Sequence, residues 1–422
     1  MSEPGPRYVV RPAGPLRGTV RAAGMTKNAG CKQLAAALLA PGTSTIRNLS
    51  PVADLDVMIE LLRSIGADVS WAGEGALCVD ASGVLLPEAP YELVSRMRAS
   101  INVLGPLLAR NGRARVAMPG GDDIGVRKLD LHTRGLAAMG VELEVVHGFI
   151  EARVNALCGA RVVLDYPSVG ATETLMSAAV LAKGETVIEN AAREPEIKDL
   201  AEFLAKMGAQ VYGAGTHTVT IEGVDELVPA DHAVIGDRIE GGTYLFAALV
   251  AGGDVTVEGI SLDDLGSAAD RLGELGARVA AVPDGVRVVA DERATAIDIP
   301  TLPFPGFATD FMPFAVVVLA VADGTGIVTE NVFDNRLAFV AELNRMGAHV
   351  HTDGRHAVVR GVAGLSGAPV RATDVRAGAA LVLAGMVADG ETCVLDAHHI
   401  DRGYPDLAGK LRALGADVVR LG

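Results

Sequence analysis

The chain has 422 residues, half of them hydrophobic but only 4% aromatic, so it is too long for one ordinary core and must fill its interior with Ala, Val, Leu and Ile. Thirty-seven Lys and Arg against 52 Asp and Glu leave a formal charge of −15, which excludes a general nucleic-acid binder. An anionic substrate remains open if arginines are concentrated locally against that field.

The start, Met1 to Pro4, has no basic region leading into an apolar run, so no export signal is expected. The most apolar stretch, Phe314 to Ala322, is far shorter than a membrane span. Cys31, Cys78, Cys158 and Cys393 are scattered, with no CxxC pair, and read as reduced structural thiols rather than metal ligands. A cytoplasmic chain without membrane contact is the expectation.

The first element with chemical content is Gly24-Met25-Thr26-Lys27-Asn28-Ala29-Gly30, ahead of a helical run from Cys31 to Ala40. A lysine and an amide at a helix N-terminus favour an anion, because free backbone N–H groups and the dipole add to the ammonium charge. A strand follows in APGTSTIRNL. Ser50 and Asp54 then read as N-caps of a helix that ends in LLRSIGADV.

That helix end recurs six times, about every 70 residues, at Gly66, Gly140, Gly208, Gly276, Gly347 and Gly415. Glycine suits the left-handed position just past a helix, and a β-rich run follows each time. A second series keeps step with it: APGTSTIRNL, RNGRARVAMPG, AKGETVIENA, AGGDVTVEGI, ADGTGIVTENV and ADGETCVLDA. Each reads as a helix end, a glycine turn and an alternating strand, with Ser261 and Asp263 as further cap candidates. A unit of this size buries its sheet poorly alone, so grouping in threes, in two lobes, is the natural solution.

Charge collects at three later places. Met97-Arg98-Ala99-Ser100 is followed by Pro119-Gly120-Gly121-Asp122-Asp123-Ile124-Gly125-Val126-Arg127-Lys128, a glycine-rich loop of the kind that often carries proton-transfer groups. Phe307-Ala308-Thr309-Asp310 precedes Asn335-Arg336. Asp374-Val375-Arg376-Ala377-Gly378 precedes His399-Ile400-Asp401-Arg402-Gly403-Tyr404. Arginines in otherwise apolar sequence point to an anion clamp, since guanidinium matches carboxylate and phosphate bidentately. Walker A, HExxH, GxSxG and Rossmann GxGxxG patterns are absent from the sequence.

With TKNAG, RASINVLGPL, PGGDDIGVR, SVGATETLMSAA, ENAAREPEI, GDRIE, FATD, TENVFDNR, ATDVRAGAALVLAG and HIDRGY in this order, the chain resembles the UDP-N-acetylglucosamine 1-carboxyvinyltransferase family along nearly its whole length. The resemblance implies an α/β fold: a two-lobed inside-out barrel of six βαβαββ units, divided as 27–235 and 1–26 plus 236–422. It implies a monomeric enzyme that moves the enolpyruvyl group of phosphoenolpyruvate to a hydroxyl of a uridine nucleotide, with no cofactor or metal.

By position in these motifs, Lys27, Arg127 and Arg402 would hold the phosphate of phosphoenolpyruvate, Arg336 and Arg376 its carboxylate, and Arg98 would complete the positive cleft. Asp310 would be the general base, and Asp374 would sit beside the reacting carbons. Asn28 would bind the acceptor sugar. Arg127, Lys128, Leu129, Asp130, Leu131 and His132, with Ser168, Val169 and Gly170, would cradle the uridine and its phosphates.

Three departures from the family pattern stand out. Asp122 occupies the loop position that is cysteine in many members and would serve as the proton donor. An unperturbed Asp is protonated only about once in a thousand at pH 7, so bound anions and desolvation must favour its neutral form. The thiolate that fosfomycin traps in the family is then missing. Gly24-Met25-Thr26-Lys27-Asn28 is one residue longer than the usual Gly-Ala-Lys-Asn, and Lys128 replaces a proline. Both departures bear on the acceptor, so UMP or a related uridine nucleotide, used in nucleoside-antibiotic biosynthesis, stands as the alternative to UDP-N-acetylglucosamine.

Overall fold

The computed structural model describes residues 5–422, so Met1 to Pro4, read above for an export signal and included in the expected 1–26 segment, lie outside the described residues. The chain divides into two compact units. One contains Gly24–Asp122 and Arg127–Ile235; the other contains the segment ending at Ala23, Asp123–Val126 and Gly236–Gly422.

Each unit carries three four-stranded sheets of one pattern: a parallel pair, then two antiparallel neighbours. In the first unit one sheet runs Glu88–Ala89, Arg113–Ala117, Phe149–Arg153, Glu142–Val146, and another Arg161–Val163, Glu185–Glu189, Thr218–Glu222, Gln210–Tyr212. The third joins the two ends of the unit, because Asp231–Ala233 pairs parallel with Thr43–Arg47 in the register His232 to Ile46. In the second unit, Arg7–Arg11 inserts antiparallel between Thr392–Leu395 and Asp417–Leu421. Leu16–Arg21 there pairs parallel with Gly253–Glu258.

The repeat glycines explain how the pattern is written locally. All six glycines after the helices have positive φ, from +84° at Gly347 to +112° at Gly276. The second series behaves alike, with Gly42, Gly112, Gly184, Gly253, Gly324 and Gly390 between +66° and +136°. A side chain at Gly66 would also press within 2.8 Å of the Val84 carbonyl oxygen.

Helices that are apolar all round form the cores. Every residue of Met312–Ala320 and of Val375–Gly385 is buried, and both pack against Arg238–Ala251. Phe246 of that last helix meets Phe307, Phe311 and Phe314 at ring-centroid distances of 5.7 to 6.2 Å. This aromatic cluster brackets Asp310 in sequence and fixes the backbone that carries it. Among the described residues no helix is long and apolar enough to cross a membrane.

Three local expectations need correction. The helix Ala53–Ile65 starts after Val52 and has no side-chain cap, so neither Ser50 nor Asp54 caps it. Asp54 is 2% exposed and instead faces the Lys27 ammonium, which offsets the cost of burying its charge. Ser261 does cap Leu262–Leu265, but its reciprocal partner is Asp264 rather than Asp263. The run expected from Cys31 to Ala40 is α-helical only to Ala36 and finishes as a 3-10 turn at Leu39.

Candidate active site

In the first unit the site begins where the chain turns into the helix Cys31–Ala36. Thr26–Gly30 is a π-helical turn, with the Gly30 N–H reaching back to the Met25 carbonyl at 2.9 Å. A π turn closes its hydrogen bond over one residue more than an α turn, which widens the backbone that carries Lys27 and Asn28. The Thr26 hydroxyl accepts from the Ser50 N–H at 2.6 Å, which ties the turn to the loop after the strand Thr43–Arg47.

Lys27, on this turn, points its ammonium between two carboxylates: Asp54 at 3.1 Å and Asp122 at 3.6 Å. Its neighbour Asn28 presents a carbonyl to Lys32 at 3.3 Å, and Lys32 is held by the buried Glu173 at 3.0 Å. Glu173 lies on the helix Val169–Ala179, which Ser168 caps by accepting from the Ala171 N–H at 3.3 Å.

The glycine-rich loop returns at Arg127, whose guanidinium donates to the Asp122 carbonyl at 2.8 Å. Arg98 donates to the Arg127 carbonyl, which brings the two arginines together. Burial, and then the Arg127 charge, bring Arg98 down to about 10. Two adjoining arginines in a partly dry setting are an arrangement that an anion relieves.

Beyond them lies His132, 4% exposed, with neither ring nitrogen hydrogen-bonded among the described residues. Gly170 leaves room for it, since a Cβ there would stand 3.0 Å from Nε2. Burial first, then the Arg98 charge, lower His132 to about 4. Its neutral form is therefore the native one, and the unfolded chain takes up the proton first as pH falls. We expect stability present above pH 6.5 to be lost progressively between about 6.5 and 4, by up to about 3 kcal/mol. Denaturant melts at several pH values should show this fall in the wild type and a flatter profile in His132→Asn. The remaining members of this stretch differ in setting: Leu129 is buried, Leu131 half-buried, and Lys128 and Asp130 are exposed, Asp130 lying 3.9 Å from Arg134.

In the second unit, Asp310 sits in the 3-10 turn Thr309–Phe311 with 28% of its side chain exposed. Arg336 donates to it at 2.8 Å, and the Arg376 guanidinium lies 3.9 Å away. Burial pushes the Asp310 carboxyl up, but the charges of Arg336 and Arg376 outweigh it and hold it down at about 2. Among the described residues each arginine keeps a buried nitrogen without a hydrogen bond, Nε of Arg336 and Nη1 of Arg376, while Arg376 lies over the Tyr404 ring at 5.2 Å.

Asp374 is 4% exposed and caps the helix Val375–Gly385, accepting from the N–H groups of Arg376 at 2.8 Å and Ala377 at 3.1 Å. One carboxylate oxygen thus serves the fold. Arg402 is half-buried at the end of the helix His398–Asp401, which Arg420 and Tyr8 anchor through Asp401 at 2.7 and 3.3 Å. Residues Asp123–Val126 of the loop belong to this unit, where the Asn335 N–H donates to the Ile124 carbonyl at 3.2 Å.

Lys27, Asp122, Arg127, Arg98, His132 and Gly170 therefore form one chain of neighbours in the first unit, and Asp310, Arg336, Arg376 and Asp374 another in the second. Sequence reasoning missed Asp54 as the partner of Lys27, having read it as a cap. It also passed over Asp237, within GDRIE, which caps Arg238–Ala251 and is raised to about 6 by burial, against the lowering pull of Arg376. An acid before an apolar helix carries no local mark that distinguishes a buried cap from an exposed one.

Known proteins match this chain throughout. The sequence profile of EPSP synthase (3-phosphoshikimate 1-carboxyvinyltransferase) matches residues 10–411. The UDP-N-acetylglucosamine 1-carboxyvinyltransferase of Corynebacterium jeikeium is 48% identical over 419 residues, covering 98% of this chain and 99% of that protein. The protein of the same name from Nocardia farcinica is 49% identical over 421 residues, 99% of each. Among solved structures, the enolpyruvyl transferase NikO from Streptomyces tendae superposes with a TM-score of 0.88 at 28% identity, over 99% of each chain. EPSP synthase from Acinetobacter baumannii gives 0.74 at 17% identity, over 99% of this chain and 100% of that one, a likeness of fold alone. The fold expected from the sequence is the one these structures share.

Proposed function

The chain belongs to the enolpyruvyl transferase family, and from that premise we propose that it transfers the enolpyruvyl group of phosphoenolpyruvate to the 3-hydroxyl of UDP-N-acetylglucosamine, releasing phosphate. This is the first committed step of peptidoglycan synthesis. The observation that carries the acceptor is identity of 48 to 49% over nearly the full length of proteins bearing that activity in their names, against 28% to NikO. We place the reaction in the cytoplasm and expect a monomer to perform it.

The reaction is an addition followed by an elimination. Asp122 delivers a proton to C3 of phosphoenolpyruvate, which leaves C2 electrophilic. Asp310 takes the proton of the acceptor hydroxyl as its oxygen bonds to C2. A proton then leaves C3, the bond from C2 to the phosphate oxygen breaks, and the enol ether double bond forms. Lys27, Arg127 and Arg402 hold the phosphate, and Arg336 and Arg376 the carboxylate, with Arg98 adding positive charge where the polyanion binds. Asp374 flanks the reacting carbons. Asn28 takes the sugar; the stretch from Arg127 to His132 and the helix start Ser168, Val169 and Gly170 take the uridine diphosphate.

The deciding experiment is phosphate release from phosphoenolpyruvate with UDP-N-acetylglucosamine or UMP offered separately. Turnover with the UDP-sugar is expected, at a kcat/KM at least about 100-fold above that with UMP. Release with UMP alone would reassign the acceptor.

A further inference from the structure

We propose that Glu330 is a positioning residue that builds the Asp310–Arg336 pair from both sides; the inference rests on the roles assigned to that pair above. Glu330 follows the strand Thr325–Thr329 and is 1% exposed. Its Oε1 accepts from the Val332 N–H at 2.8 Å, the Phe333 N–H at 3.0 Å and the Thr301 hydroxyl at 3.1 Å, and its Oε2 from the Thr309 hydroxyl at 2.9 Å.

Three of these four donors come from the two segments that matter. Thr309 immediately precedes Asp310 and opens the 3-10 turn that aims it. Val332 and Phe333 open the loop that ends in Arg336, whose guanidinium lies 5.6 Å from the Phe333 ring. Thr301 braces the junction: its hydroxyl accepts from the Asn331 N–H at 2.8 Å, and its carbonyl accepts from the Asn331 amide at 3.1 Å.

A buried carboxylate is costly unless fully hydrogen-bonded, and here four donors surround it. An apolar side chain would fill the same space without joining the two segments. Among the described residues Glu330 hydrogen-bonds to neither Asp310 nor Arg336; it sets where their backbones stand. Misplacing a reacting group by about 1 Å costs on the order of 100-fold in rate, so the effect belongs mainly in kcat.

The test is steady-state kinetics of wild type, Glu330→Gln, Glu330→Ala and Thr309→Val with phosphoenolpyruvate and UDP-N-acetylglucosamine, with kcat/KM followed against pH. Glu330→Gln keeps an acceptor and can donate to a rotated Thr309 hydroxyl, so it should stay within about 10-fold of wild type. Glu330→Ala should lose about 100-fold in kcat at an unchanged KM for the nucleotide. Thr309→Val should lose about 10-fold, and the acid limb of its profile should move up as Asp310 drifts from Arg336. An alanine variant with wild-type kcat and acid limb overturns the proposal. Should that variant fail to fold, an unaltered Thr309→Val does the same. A wild type that releases no phosphate with either UDP-N-acetylglucosamine or UMP overturns the parent reading and this one with it, whereas an active wild type with unaffected variants overturns this one alone.

Discussion

Asp122→Asn should lower kcat at least about 1,000-fold while leaving the affinity for UDP-N-acetylglucosamine, measured by calorimetry, within about 3-fold. The physical reason is that an amide is the same size as the acid but has no proton to give to carbon. The Asp122 carboxylate stands 3.6 Å from the Lys27 ammonium, a contact that favours its charged form. A proton donor must be neutral before it acts. The phosphate assigned to Lys27 would compete for that ammonium and set a like charge beside Asp122, and both changes favour the protonated acid. Asp54 remains at 3.1 Å to keep Lys27 in place. The same substitution pattern bears on fosfomycin: the wild type should resist time-dependent inactivation, and Asp122→Cys should gain it. An asparagine variant with near-normal turnover would remove Asp122 from the mechanism.

The second large effect is expected at Asp310. Asp310→Asn should reduce kcat about 100- to 10,000-fold, the usual contribution of a positioned general base. The wild type adds a sign that can be checked. Against the upward push of burial, Arg336 and Arg376 hold Asp310 at about 2, so it is ionised throughout the working range and a poor base while those pairs persist. The substrate carboxylate assigned to the same arginines would draw them away and let the affinity of Asp310 for a proton rise. The profile of kcat/KM reports the free enzyme, and that of kcat the complex. The acid limb of kcat should therefore lie at higher pH than the limb of kcat/KM due to Asp310. In Arg336→Gln, where one arginine is gone from the start, the limb of kcat/KM should move up and the KM for phosphoenolpyruvate should rise. Coincident limbs in the wild type would rule out this exchange of partners.

Much of the fold was legible because its signals are local. Twelve glycines in two interleaved series mark helix ends and strand starts, and at each the backbone takes the positive φ that only glycine adopts without strain. The all-apolar run around Phe314 announces a helix buried on every side. The charged positions were legible as residues, through motifs whose order matched a family, but not as partners. Asp54 shows the limit: near a helix start, an aspartate reads as a cap whether it bonds the backbone or a distant lysine.

What the sequence alone determined is the repeat, its turns and the identity of the ionisable groups, because a helix end, a glycine turn or an alternating strand is decided within about ten residues. What only the tertiary structure decided is which charges meet. Lys27 reaches Asp54 and Asp122, Asp310 takes Arg336, and Glu330 joins Thr309 to the turn after it, across separations set by strand order and helix packing. Coulomb and hydrogen-bond energies depend on ångströms in space, and a linear chain states only the distance along itself.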